Sequence, residues 1–470
     1  MPLPTDPRQP IIPERLAGIY DKLQEWSALY SSDPSQLATY YSSKVYDGTP
    51  RGRFWARVEQ AERSTMLHVP IAKDISTASA DLLFSERPKV TFQNPSTQER
   101  FEEISAGINF WSRVIEAAET CSALGGVYLK INWDKTLTPY PILSVAQADM
   151  GIPEFRFGLL QAVTFWTVLD EEGSIVWRLL ERHEKGVILT GLYKGSPTEI
   201  GKEVPLTYRE ETAHLAPVIT TGIDDILVRY VPNMMPNNLF RGSDLGKSDY
   251  AGLEGLMDAL DEIYTSLLRD VRLGQGRIIV PETMVDQSGK FNLDKEVFTV
   301  IPVGVTDFST LPKLVDCNQF DVRTDQHIKA ALEIMDRIIS GAGYSPQTFG
   351  LKIEGRAESG TALNIRERKS FVTSAKKAIF WKSALEQIIE LMLIVDRQML
   401  GTSISPERPT VEIQDSVQHD ISQVAQSIAL IKNAGAASTR TLVKTLHPDW
   451  TDDQVEAEVQ EILKEKYPTL

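Results

Sequence analysis

The chain has 470 residues, with 49 Lys and Arg against 64 Asp and Glu, a net charge of −15, 42% apolar residues and two cysteines. That length is too great for one hydrophobic core and leads us to expect roughly two to four domains. The acidic balance excludes indiscriminate nucleic-acid binding over the whole surface and leaves room only for a local basic site.

The N-terminus, "MPLPTDPRQPIIPERL", holds five prolines and no apolar core of signal-peptide length, so secretion is not expected. Residues 12–31 read as a helix, with Pro13 in its first turn and Leu16, Ile19, Leu23, Trp26 and Leu29 at helical spacing. Shorter helical stretches follow near 52–63 and 70–83. One helix is expected over 98–123, ending where Gly125-Gly126 frees the chain to turn. Cys121 and Cys317 lie far apart and build no metal-ligand pattern; both read as buried small apolar side chains in a reducing environment.

The pattern then shifts. "KVTFQ" (89–93) and "GVYLKINWD" (126–134) alternate apolar and polar residues, and "FWTVLD", "SIVWRLLERHE" and "GVILTGLYKG" are β-rich runs separated by "EEGS" and "EKG". These are hairpin signals, so 85–231 is expected to be mainly sheet with one embedded helix, closing on "DDILVRYVPN".

From Lys247 the period is helical again. Tyr250, Leu253, Met257, Leu260, Tyr264, Leu267 and Val271 follow a 3-4 rhythm suited to packing on another helix. A compact β-containing insert of 274–317 follows. A second heptad-like helix over 321–340 has Ile328, Leu332, Met335 and Ile339 as its expected core face, with Ala331 and Ile338 beside them. The two helices should form an antiparallel pair with the insert at its far end.

"SGAGYSPQTFGLKIEGRAESG" is an irregular Gly- and Ser-rich loop. No proline occurs from Ser359 to about Leu400, which predicts a helix of about 40 residues and about 60 Å. Phe380, Trp381, Leu385, Ile388, Ile389, Met392 and Val395 give its second half an apolar core face, while its first half is polar and basic. Between Lys352 and Lys382 the acidic balance inverts, with eight Lys or Arg against three Glu. The apolar window around "IIELMLIVDRQML" is broken by Glu390, Asp396 and Arg397, well short of the about 20 apolar residues that span a bilayer, so no membrane segment is expected. "RPTVEIQDS" (408–416) reads as a strand, and helices are expected at 420–433, 439–446 and 452–466. Thr451 and Gln454 form a capping-box pattern for the last of these, whose buried face is Val455, Val459, Ile462 and Leu463.

Catalytic signals are missing from the pattern. "GSDLGKS" (242–248) is one residue too short between its glycines for a phosphate loop, and "GSPTEIGK" (195–202) is one too long. Ser243 or Ser248, helped by Asp244 or Asp249, reads instead as a helix N-cap. The six histidines are scattered without zinc spacing, His327 reads as a solvated or hydrogen-bonded side chain, and no G-x-S-x-G elbow occurs. Carboxylate pairs such as Asp224-Asp225, Asp261-Glu262 and Asp452-Asp453 fit solvated faces. No enzymatic activity, catalytic residue, metal or cofactor is therefore expected.

The order of these parts resembles the portal protein of tailed bacteriophages, the head-to-tail connector of the type found in long-tailed phages of Gram-positive hosts. The resemblance lies in "NNLFRGSDLGKSDYAGLEGLMDALDEIYTSLLRDVRLGQGRIIVPE", which looks like the family's stem helix running into its clip. "SGTALNIRERKSFVTSAKKAIFWKSALEQIIELML" looks like the helix after its tunnel loop, and "VEIQDSVQHDISQVAQSIALIKNAGAASTRTLVKTLHPDWTDDQVEAEVQEI" is similar to the entry to its crown. It implies a multidomain α+β subunit. The expected parts are a wing (1–243 and 358–415), a stem (244–273 and 318–341), a clip (274–317), a tunnel loop (342–357) and a crown (416–470) whose tail lacks a basic extension.

The resemblance further implies a ring, usually of twelve subunits, at one capsid vertex of the virion, assembled in the host cytoplasm. Double-stranded DNA passes through such a ring during packaging and ejection, without sequence recognition. Implied partners are the terminase large subunit, a head-completion adaptor, and the major capsid and scaffolding proteins. Lys352 and Arg356 become the expected lumen-facing residues of the tunnel loop, hinged at Gly341, Gly343, Gly350, Gly355 and Gly360. Arg366, Arg368 and Lys369 are expected either at the lumen or at subunit contacts, where Asp258, Asp261 or Glu262 of a neighbour would pair with the basic half of the helix. Two other classes remain open at this point: a virion or adaptor protein without a DNA channel, which the mass of the assembly would reveal, and a nucleotide-hydrolysing motor component, disfavoured by the missing phosphate loop.

Overall fold

The structure is a computed structural model that describes residues 3–43, 53–58, 66–273, 277–279, 316–318, 322–351, 360–413, 428–447 and 450–466, the side chains of 277–279, 316–318, 360–366 and Lys466 excepted. The fold is α+β. Helix α1 (Glu14–Ser31) follows Pro13 and buries Ile19, Leu23, Trp26 and Leu29, as its spacing predicts, and Ser32 ends it in the left-handed region. Helix α2 (Pro34–Ser43) follows directly, and a 3-10 turn at Phe54–Arg57 is the described part of the stretch expected to be helical over 52–63. Helix α3 (Ile71–Phe84) leads to strand β1 (Lys89–Thr91).

The single helix expected over 98–123 is two, α4 (Pro95–Gly107) and α5 (Phe110–Leu124). The break is at Asn109, in the left-handed region that Asn tolerates, and Gly107 lies where a Cβ would meet the Tyr140 ring at 2.5 Å. Apolar periodicity carries across so short a break, which hides it in the sequence.

The sheet region follows as strands β2 (Gly126–Asn132), β3 (Ile142–Gln147), β4 (Gly151–Arg156), β5 (Leu159–Glu172), β6 (Ile175–Glu184), β7 (Val187–Gly195), β8 (Lys202–Val204), β9 (Val218–Thr220) and β10 (Val228–Pro232). Two-residue turns at Gly173-Ser174 and Lys185-Gly186 join β5 to β6 and β6 to β7, where "EEGS" and "EKG" announce them, each with a glycine at positive φ. These strands build the antiparallel order β4-β5-β6-β7-β8, with β9 also on β7, beside a three-stranded sheet of order β10-β2-β3. Strand β2 alternates in sequence, yet both its faces are covered: Val127 and Leu129 pack in the core that holds α5 and the long helix of residues 360–395, and Tyr128 packs on the other face against Val163 and Phe165 of β5.

Helix α6 (Glu254–Leu273) starts later than its rhythm suggests, since residues 250–253 are turns. Short strands β11 (Arg277–Ile279) and β12 (Asp316–Asn318) pair antiparallel, and the expected strands and turns between them lie outside the described residues. Helix α7 (Thr324–Ala342) runs antiparallel to α6: Arg323 and His327 bond Asp270 at one end, and Gly341 abuts Leu253 at the other. Ala331, Ile338 and Ile339 are buried as expected, whereas Ile328 and Leu332 are 44% and 45% exposed, so the expected core face is only half covered by this chain.

Helix α8 (Gly360–Val395) continues as a π-helical turn, Asp396–Leu400, and stops at Gly401 in the left-handed region, close to the length that the proline-free run predicts. Its second half forms one core with α3, α5, β2 and β3 through Trp381, Leu385, Ile388, Ile389, Met392 and Val395. Strand β13 (Thr410–Glu412) pairs with β1. Helices α9 (Thr439–Leu446) and α10 (Asp452–Lys466) form a small unit around Val443, Val455 and Val459, with Ile462 packed against it. The capping box is formed, with Thr451 N–H donating to Gln454 at 2.9 Å and Gln454 N–H to Thr451 at 3.3 Å. Leu463 is exposed, contrary to its expected burial, because α9 supplies Val443 to the other side of the face.

Candidate nucleic-acid interface

The basic half of α8 has two chemically different faces. On the inner one, Ser370, Thr373 and Ser374 are small enough to let the helix approach its neighbours, and each finds a partner: Ser370 accepts from Ser345 N–H at 2.8 Å, Thr373 donates to Gly343 O at 2.6 Å, and Ser374 donates to Leu82 O at 2.9 Å. Lys377 shares this face and is buried. Its ammonium pairs with Asp249 and donates to Ser79 at 2.6 Å and Tyr344 at 2.9 Å. Asp249 also accepts from Ser122 at 2.7 Å, Tyr344 at 2.7 Å and Asn233 at 2.8 Å. Burial first, and the Asp249 charge second, push the Tyr344 hydroxyl well above its ordinary pKa, so it remains a donor. A buried ion pair needs such additional hydrogen bonds to offset desolvation.

Asp249 is therefore not a helix cap. Neither it nor Ser248 caps α6, which begins at Glu254; Ser248 accepts from Tyr250 N–H and donates to Ser122 O instead. The 246–249 segment is seated by glycine contact: a Cβ on Gly246 would lie 2.3 Å from Gly125 O, and Gly125 itself sits at φ +78°. Side chains at either position would push this segment off the α5–β2 turn.

The outer face carries Arg368, Lys369, Val372, Lys376, Ile379 and Lys382, all exposed. Where α8 meets the 247–249 segment and the end of α7, a recess of about 600 Å³ opens, and Lys247, Arg368, Lys369 and Lys376 line it. Its one lining carboxylate, Asp249, is already held by Lys377. Lys247 donates to Asn238 at 2.6 Å and Lys369 to Ser340 O, so neutral acceptors hold both side chains in position. Four cations around one recess with no free carboxylate attract a phosphate or carboxylate group from outside.

Of the residues singled out in the sequence, Arg368 and Lys369 meet at this recess. Arg366 lies in the helical backbone of α8, its side chain outside the described residues, as are Lys352, Arg356 and Gly355 altogether. Gly343 and Gly350 take left-handed conformations, Gly343 closing α7 and Gly350 following the 3-10 turn Pro346–Phe349. Gly360 begins α8, and Gly341 lies inside α7 rather than in a loop; a Cβ there would meet Leu253 at 2.6 Å. Lys376, one of the basic residues counted between Lys352 and Lys382, and Lys247, which was not singled out, complete the recess. Lys247 sits in "GSDLGKS", where the only legible signal was a failed phosphate loop.

The acidic residues expected to serve a neighbouring subunit are used within the chain. Asp258 accepts from the N–H groups of Phe54 and Trp55, and Asp261 from Trp55 Nε1 at 2.8 Å and Val69 N–H at 2.8 Å, with His68 beside it. Asp261 is buried and so does not belong to a solvated carboxylate pair; Glu262 meets Arg57 at the surface. Their spacing on α6 gave no hint that Phe54, Trp55, His68 and Val69 would fold back onto them.

No curated protein matches the chain. Among solved structures, it is similar to a chain of the virion of a native gene transfer agent particle, with 11% identity, a TM-score of 0.44, and 93% of this chain and 95% of that one covered. A second similarity is to the neck of an empty particle of that kind computed with C6 symmetry, at 14% identity, TM-score 0.41 and coverage of 82% and 92%. A third is to the neck of the native particle computed with C12 symmetry, at 12% identity, TM-score 0.37 and coverage of 94% and 96%. The family model described as phage portal protein, SPP1 Gp6-like, matches residues 12–467, and the chain belongs to that family.

Proposed function

We propose that this portal protein closes into a ring of about twelve copies at one capsid vertex, conducts double-stranded DNA during packaging and ejection, and docks the terminase large subunit and then a head-completion adaptor. The observation that carries this reading is the family match over residues 12–467. The α6–α7 pair supports it: Val271, Leu273, Ile328 and Leu332 form exposed apolar positions on a helical hairpin, which a neighbouring copy would cover. In this reading the pair is the stem, 274–317 the clip, 342–357 the tunnel loop, and 416–470 the crown.

The basic recess fits a passive conduit. One exposed cation contributes at most about 1 kcal/mol to an ion pair, but a residue repeated around a ring acts on an enclosed duplex many times over, releasing counterions at each phosphate contact. Lys352 and Arg356 serve the same role from the tunnel loop. Negative-stain images of the purified protein viewed end-on, with native mass measurement, test the ring. The expected result is an annulus with an axial opening and a mass close to twelve times the 52.6-kDa chain. A monomer, or a particle without an opening, overturns the proposal.

A further inference from the structure

A second cavity lies far from the basic recess in sequence and is built from different elements. Residues 3–13 cross the β6–β7 face as a strap: Tyr193 donates to Pro4 O at 2.9 Å, Gly201 N–H to Pro7 O at 3.0 Å, and Ile200 N–H to Gln9 O at 3.0 Å. Between strap, sheet and the start of α1 lies a cavity of about 490 Å³, walled by Ile11, Phe155, Trp166 and Leu180 and holding Arg178 and Arg182. That volume falls in the range of small-molecule sites.

The two arginines, both more than nine-tenths buried, are supplied differently. Arg182 is saturated. It makes a two-pronged pair with Glu154 at 2.7 and 3.1 Å, a bond to Glu184 at 2.6 Å and one to Thr164 at 3.0 Å. Arg178 has no carboxylate within ion-pair distance among the described residues, and only two backbone carbonyls, of Pro197 and Glu199, each at 3.4 Å. A buried guanidinium with five donors and two long carbonyl contacts has donor capacity left for an anion. Burial pushes its pKa below the ordinary arginine value, and the Glu171 charge offsets that only in part. Arg15 lines the mouth, and the N-terminal end of α1, which has no side-chain cap, adds partial positive charge at the rim.

We propose that this cavity binds an organic carboxylate with a flat apolar body, the carboxylate seated on Arg178 and the body against Trp166 and Phe155. The same chemistry is offered by a free small molecule or by the C-terminal residue of a peptide.

Calorimetric titration of the assembled full-length protein tests this, with 2-naphthoate as probe and neutral 2-naphthamide as control. Saturable naphthoate binding is expected, with the amide and the Arg178→Met protein each weaker by about tenfold or more, the loss of one charge-assisted bond. No saturable binding, or equal binding of acid and amide, overturns the site. Should Arg178→Met fail to assemble, Ile11→Trp fills the cavity from the strap side and leaves Arg178 in place; undiminished naphthoate binding by that variant also overturns it. A tripeptide ending in free phenylalanine separates the two sources: tighter binding than naphthoate points to a chain terminus, weaker binding to a free ligand.

Discussion

Removing the Lys377 ammonium leaves the Asp249 carboxylate facing Tyr344, Ser122 and Asn233 with no countercharge in a buried site. Lys377→Met should therefore cost about 3–5 kcal/mol, seen as a lowered midpoint in thermal or denaturant unfolding. Lys376→Met, one residue away on the exposed face, should change stability by less than about 0.5 kcal/mol. Glu181 gives a pH prediction. Burial alone would raise its pKa, but hydrogen bonds and charge from His183 and Lys130 outweigh that and hold it down at about 2. A carboxylate depressed in the folded state stabilises above its unfolded pKa of about 4.3 and loses that contribution as pH falls toward 2. Acid titration of stability should thus show a component between those limits, reduced in Glu181→Gln. None of this was legible in the sequence, because Lys377 and Lys376 are adjacent basic residues of one polar run and only the packing of α3 and the 344 turn distinguishes them.

At the level of elements, local chemistry was the reliable guide. The turns at Gly173 and Gly186, the Thr451–Gln454 box and the helical rhythm of α1 all formed where their residues require. Failures came where tertiary context decides: the left-handed break at Asn109, the burial of both faces of β2, and the recruitment of Asp258 and Asp261 by Phe54, Trp55 and Val69. The placement of 246–249 is a case in which backbone meets backbone without room for a methyl group. Gly246→Ala should displace this segment and loosen Lys247 and Asp249 together, lowering the unfolding midpoint and speeding amide exchange at 247–249.

For the whole molecule, a stripe of apolar residues specifies that something covers it without saying whether the cover is this chain or another copy. Ile328 and Leu332 were read as core by periodicity and are half exposed on the single chain. Under the ring proposal, Ile328→Asp with Leu332→Asp should leave circular dichroism unchanged and shift the mass from ring to single chain; rings that persist would remove these helices from the interface. Lys352→Glu with Arg356→Glu should leave rings intact and reduce the DNA retained in particles in a packaging assay. Arg368→Glu with Lys376→Glu should do the same if the recess faces the channel, and should instead disrupt the ring if it faces a neighbour.

The antiparallel pairing of Arg277–Ile279 with Asp316–Asn318 has a topological effect. It brings the entry and exit of residues 280–315 side by side at the tip of the α6–α7 hairpin, so the backbone already closes the circuit beneath whatever lies between. Loop-closure entropy grows slowly with length, by about 0.6 kcal/mol per doubling. Segments of different size and sequence are therefore exchangeable there with little thermodynamic penalty to the helices below; under the proposed docking role, the tip is where specificity would change while one body is kept.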